Sequence, residues 1–305
     1  MRSRNLNAFV PQRQSTLKRD EMMARIVSMP AVLTVILLVA VPFAIIVVQS
    51  FRQVGFGTLL GSGFVGLSNY ADVVADRHFQ RSVVVTLLFS AFTVTLTYLI
   101  GFFAAIFLND QRRFKKLLFV CCLIPWAMPL VPTGLVWRWM LNRNYGVVNW
   151  LVFRAGLSSG MLDWFGDRTL ALISIISSTV WRQYPIGLLM LYAALQTIPR
   201  DHFDVGKVVG VTKLQEIRHI IFPGVLSVSG MLVIIQLLDS FRAVTTIFVL
   251  TGGGPLRTTE TLALYTFIEA FEFYKFDKAA AAGVLTLVII MSIVLGCKRL
   301  LRSSS

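Results

Sequence analysis

Six long apolar runs constrain this chain more than any other feature. They cover approximately residues 29–51, 82–108, 117–141, 169–195, 224–250 and 279–297. Each run is long enough for a helix that crosses about 30 Å of hydrocarbon. The sequence therefore predicts an all-α membrane protein with six transmembrane helices.

The composition agrees with a lipid environment. The chain has 305 residues, of which 56% are hydrophobic and 14% are charged, whereas a soluble domain has about 25% charged residues. The net charge of +14 would permit nucleic-acid binding, but the basic residues lie at the ends of apolar runs and do not alternate with aromatic residues. Three cysteines and three histidines show no pairing or ligand spacing, so the sequence predicts neither a disulfide nor a metal site.

The distribution of basic residues predicts the orientation. Of the 29 Lys and Arg residues, 17 lie in the segments 1–28, 109–116, 198–221 and 298–305, and only 9 lie in the alternate segments. Because loops rich in Lys and Arg stay in the cytoplasm, both termini are predicted to be cytoplasmic. The first run follows a polar tail and lacks a small-residue cleavage site, which is typical of an uncleaved signal anchor. The prolines between 125 and 132 predict a kink in the third span.

The segment 197–223, TIPRDHFDVGKVVGVTKLQEIRHIIFP, lies on the predicted cytoplasmic side and has its own amphipathic pattern. Pro199 suits the first turn of a helix. Gly206 and Gly210 would each weaken an isolated helix by about 1 kcal/mol relative to Ala, which predicts close packing at Gly206 and a sharp turn at Gly210. A helix that lies on the lipid surface is one interpretation. The other is a helix–glycine–helix element that docks on a soluble partner.

The spacing in this segment resembles the EAA signature of bacterial ABC importer permeases, E-A-A-x3-G-x9-I-x-L-P. The matching residues are Asp204, Val205, Gly206, Gly210, Ile220, Phe222 and Pro223. They depart from the signature by Asp for Glu, Val and Gly for the two Ala, and Phe for Leu. Two further stretches, L-T-G-G-G-P at 250–255 and F-V-G-L-S-N-Y at 64–70, resemble the carbohydrate-uptake branch. The chain is thus similar, over about residues 30–300, to the maltose-type, binding-protein-dependent inner-membrane component.

This resemblance implies a domain organisation and a set of partners. A cytoplasmic basic tail, 1–28, would precede a permease domain, 29–300, that contains a coupling loop at 197–223, and a short cytoplasmic tail would follow at 301–305. In the family the EAA loop docks on a separate ATPase, which implies ATPase-coupling roles for Phe203, Asp204, Val205, Gly206, Gly210, Val211 and Thr212. The implied partners are a second, different permease subunit, a dimeric ABC ATPase and an extracytoplasmic solute-binding protein, all at the bacterial inner membrane.

Polar residues inside two predicted spans indicate a substrate pathway, because intramembrane charges are functional candidates. These polar residues are counted along the chain from the Ile-x-Phe-Pro stretch at 220–223 and the Gly-Gly-Pro stretch at 253–255. At this spacing they match positions that line the sugar site of the maltose-type permease: Thr179, Arg182, Gln183, Gln236, Asp239 and Ser240. An ion pair between Arg182 and Asp239 is one interpretation, and solute binding is the other. Because arginine presents a planar fork of donors, we hypothesise that the sugar, glycoside or sugar derivative bears an anionic group.

Several catalytic signatures are missing from the sequence. It has no G-x-x-x-x-G-K-[ST] phosphate loop, no H-E-x-x-H and no recognisable Ser/His/Asp set. The sequence therefore predicts no catalytic residue and no cofactor on this chain, with ATP and Mg²⁺ bound by the partner subunits. A stand-alone secondary transporter is the alternative function, although such proteins often show an internal repeat and none is visible. A membrane-embedded enzyme is a further class. It would need a set of catalytic residues that face one leaflet, and none is visible in the sequence.

Overall fold

The computed structural model describes residues 23, 28–55, 61–111 and 113–303. Most of the predicted basic tail, residues 1–22 and 24–27, and residues 304–305 of the predicted C-terminal tail lie outside the described residues. In chain order the elements are α1 (Ser28–Ser50), β1 (Arg52–Gln53), β2 (Gly63–Phe64), α2 (Ser68–Ala75), α3 (Arg77–Asp110), α4 (Lys115–Ala127), α5 (Leu130–Met140), α6 (Val147–Arg154), α7 (Arg168–Leu195), α8 (Arg200–Val209), α9 (Lys213–Phe241), α10 (Thr245–Thr251), α11 (Leu262–Phe271) and α12 (Phe276–Ser303).

Four of these helices, α1, α3, α9 and α12, are long and apolar enough to cross a membrane. The bent pair α4 and α5 provides a fifth if it counts as one span. Helix α7 has 28 residues and is long enough, but it is less apolar because Thr179, Arg182 and Gln183 lie in its middle. The mostly helical membrane architecture is confirmed, whereas the number of six spans stays a prediction.

The predicted kink in the third span is a break between α4 and α5. Helix α4 ends at Ala127, Met128 adopts an extended ψ of 133°, and α5 begins after Pro129. A residue that precedes proline avoids the helical region because its backbone clashes with the proline ring, which explains why the helix stops at this point. The two helix axes differ by 96°.

The fifth predicted span, 224–250, is not one helix. Helix α9 ends at Phe241, and the separate helix α10 begins at Thr245. Helix α9 also begins earlier than predicted, at Lys213, so it includes the last part of the predicted coupling loop. A π-helical turn at Ile217–Ile221 precedes Pro223. Because a proline ring clashes with the carbonyl four residues earlier in a regular helix, the wider turn lets the helix continue.

Helices α3 and α7 form the closest helix pair of the core. A Cβ atom at Gly101 would lie 2.9 Å from the backbone carbon of Gly187. Small residues at a crossing allow two backbones in a membrane to approach closely. Large side chains from α3, α7 and α9 pack around this crossing, among them Phe102, Leu188 and Leu232. By contrast, the apolar window of α1 has no buried residue.

The F-V-G-L-S-N-Y stretch joins the end of α1 to α2. Strands β1 and β2 pair in antiparallel fashion, with Arg52 opposite Phe64. The Asn69 side-chain amide donates hydrogen bonds to the backbone oxygens of Ser50 at 3.0 Å and Arg52 at 2.9 Å. The Tyr70 hydroxyl lies 2.6 Å from Ser50 Oγ. This stretch therefore caps the first membrane helix, a role that sequence analysis did not assign to it.

Candidate functional site

The first candidate site is an elbow, which we define as residues 199–216, formed by α8, the turn at Gly210 and the first residues of α9. Pro199 is the N-cap of α8, with a ψ of 136°, and the helix begins one residue later than predicted. Asp201 lies in the first turn, where the helix dipole favours a negative charge. Asp204 Oδ1 forms an ion pair with Lys207 Nζ at 2.9 Å.

Both glycines of the elbow behave as predicted. Gly206 is buried, and a Cβ atom at this position would lie 3.3 Å from Ile220 Cδ1. Gly210 ends α8 in the left-handed conformation with a φ of +78°. Its N–H bonds to the Lys207 carbonyl, and the Val211 N–H bonds to the Gly206 carbonyl at 2.9 Å. These two bonds form a Schellman motif, which fixes the angle between α8 and α9.

Polar contacts hold the elbow to the end of α3. Thr212 and Gln215 form a reciprocal capping box at the start of α9. Lys213 Nζ lies 3.1 Å from Asp110 Oδ2. Three residues before the elbow, the Gln196 side-chain amide donates a hydrogen bond to Asn109 Oδ1 at 2.9 Å. The elbow is therefore a rigid corner attached to two long helices.

An exposed apolar patch lies on the surface of the elbow. Its members are exposed valines and a leucine: Val205, Val208, Val209 and Leu214. Val208 is 90% exposed. Among the predicted coupling residues, Val205 belongs to this patch, whereas Phe203 packs inward against the core. Val208 and Val209 share a helix face with Val205, because they follow it by three and four residues.

The second candidate site is a cavity of about 380 Å³ between α7, α10, the end of α9 and the α4–α5 break. Thr179, Arg182 and Gln183 line it from α7. Ile186 also lines it from α7, and the other lining residues come from the remaining walls: Trp126, Leu130, Asp239, Arg242, Ala243, Val244, Thr245 and Thr246. Trp126 lies in the last turn of α4 and Leu130 in the first turn of α5, so the residues on both sides of the break line this cavity.

The structure brings together four of the six predicted pathway residues, namely Thr179, Arg182, Gln183 and Asp239. Gln236 and Ser240 are not among the residues that line the cavity, and both are buried in the helix packing. Ser240 Oγ donates to the Gln236 carbonyl at 2.8 Å. A Cβ atom at Gly187 would lie 3.6 Å from the Gln236 Nε2 atom, so this amide faces α7.

The charges around the cavity do not form the Arg182–Asp239 ion pair, which was one of the two interpretations of these residues. Asp239 binds Arg242, one turn further along the chain, through Arg242 Nη2. In the described part of the chain, no ion pair joins Arg182 to a carboxylate, and Arg182 Nε is buried without a hydrogen-bond partner. Gln183 Oε1 is also buried and unpartnered. Arg242 and Trp126 are cavity residues that sequence analysis missed, although the i, i+3 spacing of Asp239 and Arg242 is a signal for their pairing.

The L-T-G-G-G-P stretch begins as a helix-ending turn. Gly252 ends α10 with a φ of +59°. Beyond it, Arg257 Nη2 donates to Glu260 Oε1 at 2.6 Å and lies 3.8 Å from Glu269 Oε1. Both carboxylates are buried. Burial raises the pKa of Glu260, and the Arg257 charge partly opposes this effect. Sequence analysis missed this buried charge cluster.

Comparison with known proteins identifies the family. Residues 97–302 match the family model described as "Binding-protein-dependent transport system inner membrane component". The chain is 33% identical over 232 residues to the trehalose/maltose transport system permease protein MalF of Thermococcus litoralis, covering 75% of this chain and 77% of that protein. It is 27% identical over 284 residues to the sulfoquinovosyl glycerol transport system permease protein SmoG of Agrobacterium fabrum, covering 93% and 92%.

A solved structure has the same fold. A chain of a bacterial ABC transporter involved in the import of the acidic polysaccharide alginate superimposes with a TM-score of 0.80 at 20% sequence identity. The match covers 95% of this chain and 98% of that chain. The protein therefore belongs to the family of binding-protein-dependent transport system inner membrane components, the ABC importer permeases that its spacing at residues 204–223 resembles.

Proposed function

We propose that this chain is one permease subunit of an ATP-driven, binding-protein-dependent importer for a sugar, a glycoside or a sugar derivative. The single observation that carries this proposal is the polar cavity beside α7 in a chain of this family. The two relatives described above are named for trehalose/maltose and for sulfoquinovosyl glycerol transport, and all of these solutes contain sugar rings.

The cavity lining suits a carbohydrate. Trp126 offers a flat apolar surface against which the C–H face of a sugar ring can pack, while Gln183 and Arg182 offer polar atoms for hydroxyl groups. Binding sites for small molecules commonly combine aromatic walls with a few convergent polar groups. This chain would supply one half of the pathway, and a second, different permease subunit would supply the other half.

The elbow is the proposed contact with the ATPase. Its exposed valines form an apolar patch next to charged residues, and its glycine turn and capping box make it rigid. Helix α9 runs without interruption from Lys213 in the elbow to Asp239 at the cavity, which is about 39 Å at 1.5 Å per residue. A displacement of the elbow by an ATPase dimer would therefore move one wall of the cavity. ATP and Mg²⁺ would bind to the ATPase and not to this chain.

In the proposed topology the chain spans the inner membrane, and the elbow lies on its cytoplasmic side. Helix α7 would be a sixth span, kept in the bilayer by its packing against α3 despite its polar residues. Both termini, including the tails 1–28 and 301–305, would then be cytoplasmic, with residues 29–300 as the permease domain.

Purification of the tagged chain with its natural partners tests this function. We expect an ATPase, a second permease and a solute-binding protein to purify with it, and we expect the loaded binding protein to stimulate ATP hydrolysis. Uptake by the isolated chain in liposomes, driven by an ion gradient and without any ATPase, would instead identify a stand-alone secondary transporter.

A further inference from the structure

The cavity beside α7 carries one positive charge more than its carboxylates balance. Three charged side chains line it, two arginines and one aspartate. Asp239 is in direct contact with Arg242 and attracts Arg182 only from a greater distance. Within residues 28–55, 61–111 and 113–303, Arg182 has no carboxylate within 4.0 Å. A guanidinium group does not lose its proton in proteins. Arg182 therefore keeps its charge, and its buried Nε–H has no acceptor.

We propose that Arg182 binds an oxyanion group on the transported solute, so that the solute is a sugar acid or another anionic glycoside. This inference rests on the proposed function, because it assigns the chemistry of a solute to the transport cavity. Carboxylate, sulfonate and phosphate groups all accept two parallel hydrogen bonds from the guanidinium fork. The oxyanion of the solute would accept the hydrogen bond that Arg182 Nε–H does not make within this chain, and it would balance the positive charge of the guanidinium group.

The neighbours of Arg182 restrict where such a group can bind. The Thr179 hydroxyl donates to the Ile175 carbonyl at 2.7 Å within its own helix, so it is not a free donor for the solute. Gln183 Oε1 is an unpartnered acceptor, which would repel an oxyanion but would accept a hydrogen bond from a sugar hydroxyl. The arrangement fits a ring that carries a hydroxyl near its anionic substituent, with Trp126 in the lining of the same cavity.

A carboxylate of the second permease subunit is the competing acceptor. It would neutralise Arg182 across the subunit interface, and Arg182 would then hold the two permeases together. Substitution by glutamine separates these roles, because Arg182→Gln removes the charge but keeps a polar side chain of moderate size. Arg138→Gln is the matched control, since Arg138 is an intramembrane arginine that does not line the cavity and donates a hydrogen bond to the Val249 carbonyl, at 3.5 Å.

The test uses the complete importer in lipid nanodiscs, with its ATPase and binding protein. ATP hydrolysis is measured with methyl glucoside, methyl glucuronide, methyl glucoside 6-phosphate and the 6-sulfonate analogue, methyl sulfoquinovoside. The affinity of the binding protein for each probe is measured separately and used to normalise the rates. We expect at least one anionic probe to stimulate wild type more than the neutral glucoside does. Arg182→Gln should reduce that stimulation about tenfold or more, as expected for lost hydrogen bonds to a charged group, and Arg138→Gln should stay within twofold of wild type.

Three outcomes would overturn the proposal. The first is a wild-type importer whose ATP hydrolysis no anionic probe stimulates more than the neutral glucoside does. The second is an Arg182→Gln importer that responds to the anionic probe within twofold of wild type. The third is separation of the two permease subunits of Arg182→Gln on size-exclusion chromatography, which would assign Arg182 to the interface. Failure of the proposed function is distinguishable, because then no ATPase purifies with the wild-type chain.

Discussion

At the scale of single residues, the backbone at Gly210 is the most demanding position in the elbow, because its φ of +78° is disfavoured for any residue with a Cβ atom. We expect Gly210→Ala to lower the stability of the protein by about 1–2 kcal/mol. Thermal unfolding in detergent measures this loss. Gly283→Ala is the control, since Gly283 lies inside α12 with no atom within 4 Å of an added Cβ, and it should leave stability unchanged or raise it by up to about 1 kcal/mol. Equal melting temperatures for the two variants would contradict the strained-turn interpretation.

The buried charge cluster around Arg257 allows a second prediction at this scale. Arg257→Gln leaves Glu260 and Glu269 buried without their guanidinium partner, and we expect a loss of about 3–5 kcal/mol. Adding Glu260→Gln to this variant should recover part of the stability, because one unpaired buried carboxylate is removed. Thermal unfolding of wild type, the single variant and the double variant, measured at one pH, tests this expectation. A double variant that is less stable than the single one would contradict it.

The pH dependence of Arg257→Gln follows from the same contact. Burial already raises the pKa of Glu260, and Arg257 opposes this effect, so the substitution raises that pKa further. A carboxyl whose pKa is higher in the folded than in the unfolded protein stabilises the fold below its unfolded pKa, and this stability is lost as the pH rises through the folded pKa. We therefore expect the stability difference between wild type and Arg257→Gln to be smaller at pH 5 than at pH 8. A constant difference would show that Glu260 does not titrate in this range.

At the scale of elements, the elbow joins an exposed apolar patch to a helix that reaches the cavity. Val208→Arg places a charge in the centre of this patch without touching the core, because Val208 is 90% exposed. If the patch docks on the ATPase, uptake should fall at least about tenfold, since a buried unpaired charge costs several kcal/mol, while the chain still inserts in the membrane. Solute uptake and the amount of co-purifying ATPase are the measurements.

Leu157→Arg is the matched control for the elbow, because Leu157 is 79% exposed and lies in the segment between α6 and α7. It introduces the same charge on the predicted outer side of the membrane, and we expect uptake and ATPase co-purification close to those of wild type. If Val208→Arg also supported full uptake, the elbow would not be the docking element.

At the scale of the whole molecule, the topology depends on α7, which is long enough to span but carries polar residues in its middle. If α7 crosses the membrane, the segment before it and the elbow after it lie on opposite sides. Single cysteines at Leu157 and Val208, in a chain whose Cys121, Cys122 and Cys297 are replaced by alanine, should react with a membrane-impermeant maleimide from opposite sides. Intact spheroplasts should label only the first site, and inverted vesicles only the second. Labelling of both sites from the same side would exclude the six-span topology.

Much of this architecture follows from local physics that a sequence displays directly. Apolar runs longer than the bilayer thickness predict membrane helices, the prolines around 125–132 predict the break between α4 and α5, and Gly210 predicts the turn of the elbow. Each of these features depends on residues a few positions apart. The spacing of the EAA-like residues also depends on short distances along the chain, and it identified the family that the sequence comparison then confirmed.

Sequence by itself therefore determined the membrane class, the elbow and its turn, and the presence of polar residues in two spans. Only the tertiary structure decided the partners of those residues. Asp239 forms its direct ion pair with Arg242 and not with Arg182, Gln236 and Ser240 are buried between helices, and Trp126 of α4 lines the cavity. Periodicity identifies residues on one face of a helix. The neighbour that each face meets depends on where separate helices end and cross, and these positions are fixed by contacts between residues that are far apart in the chain.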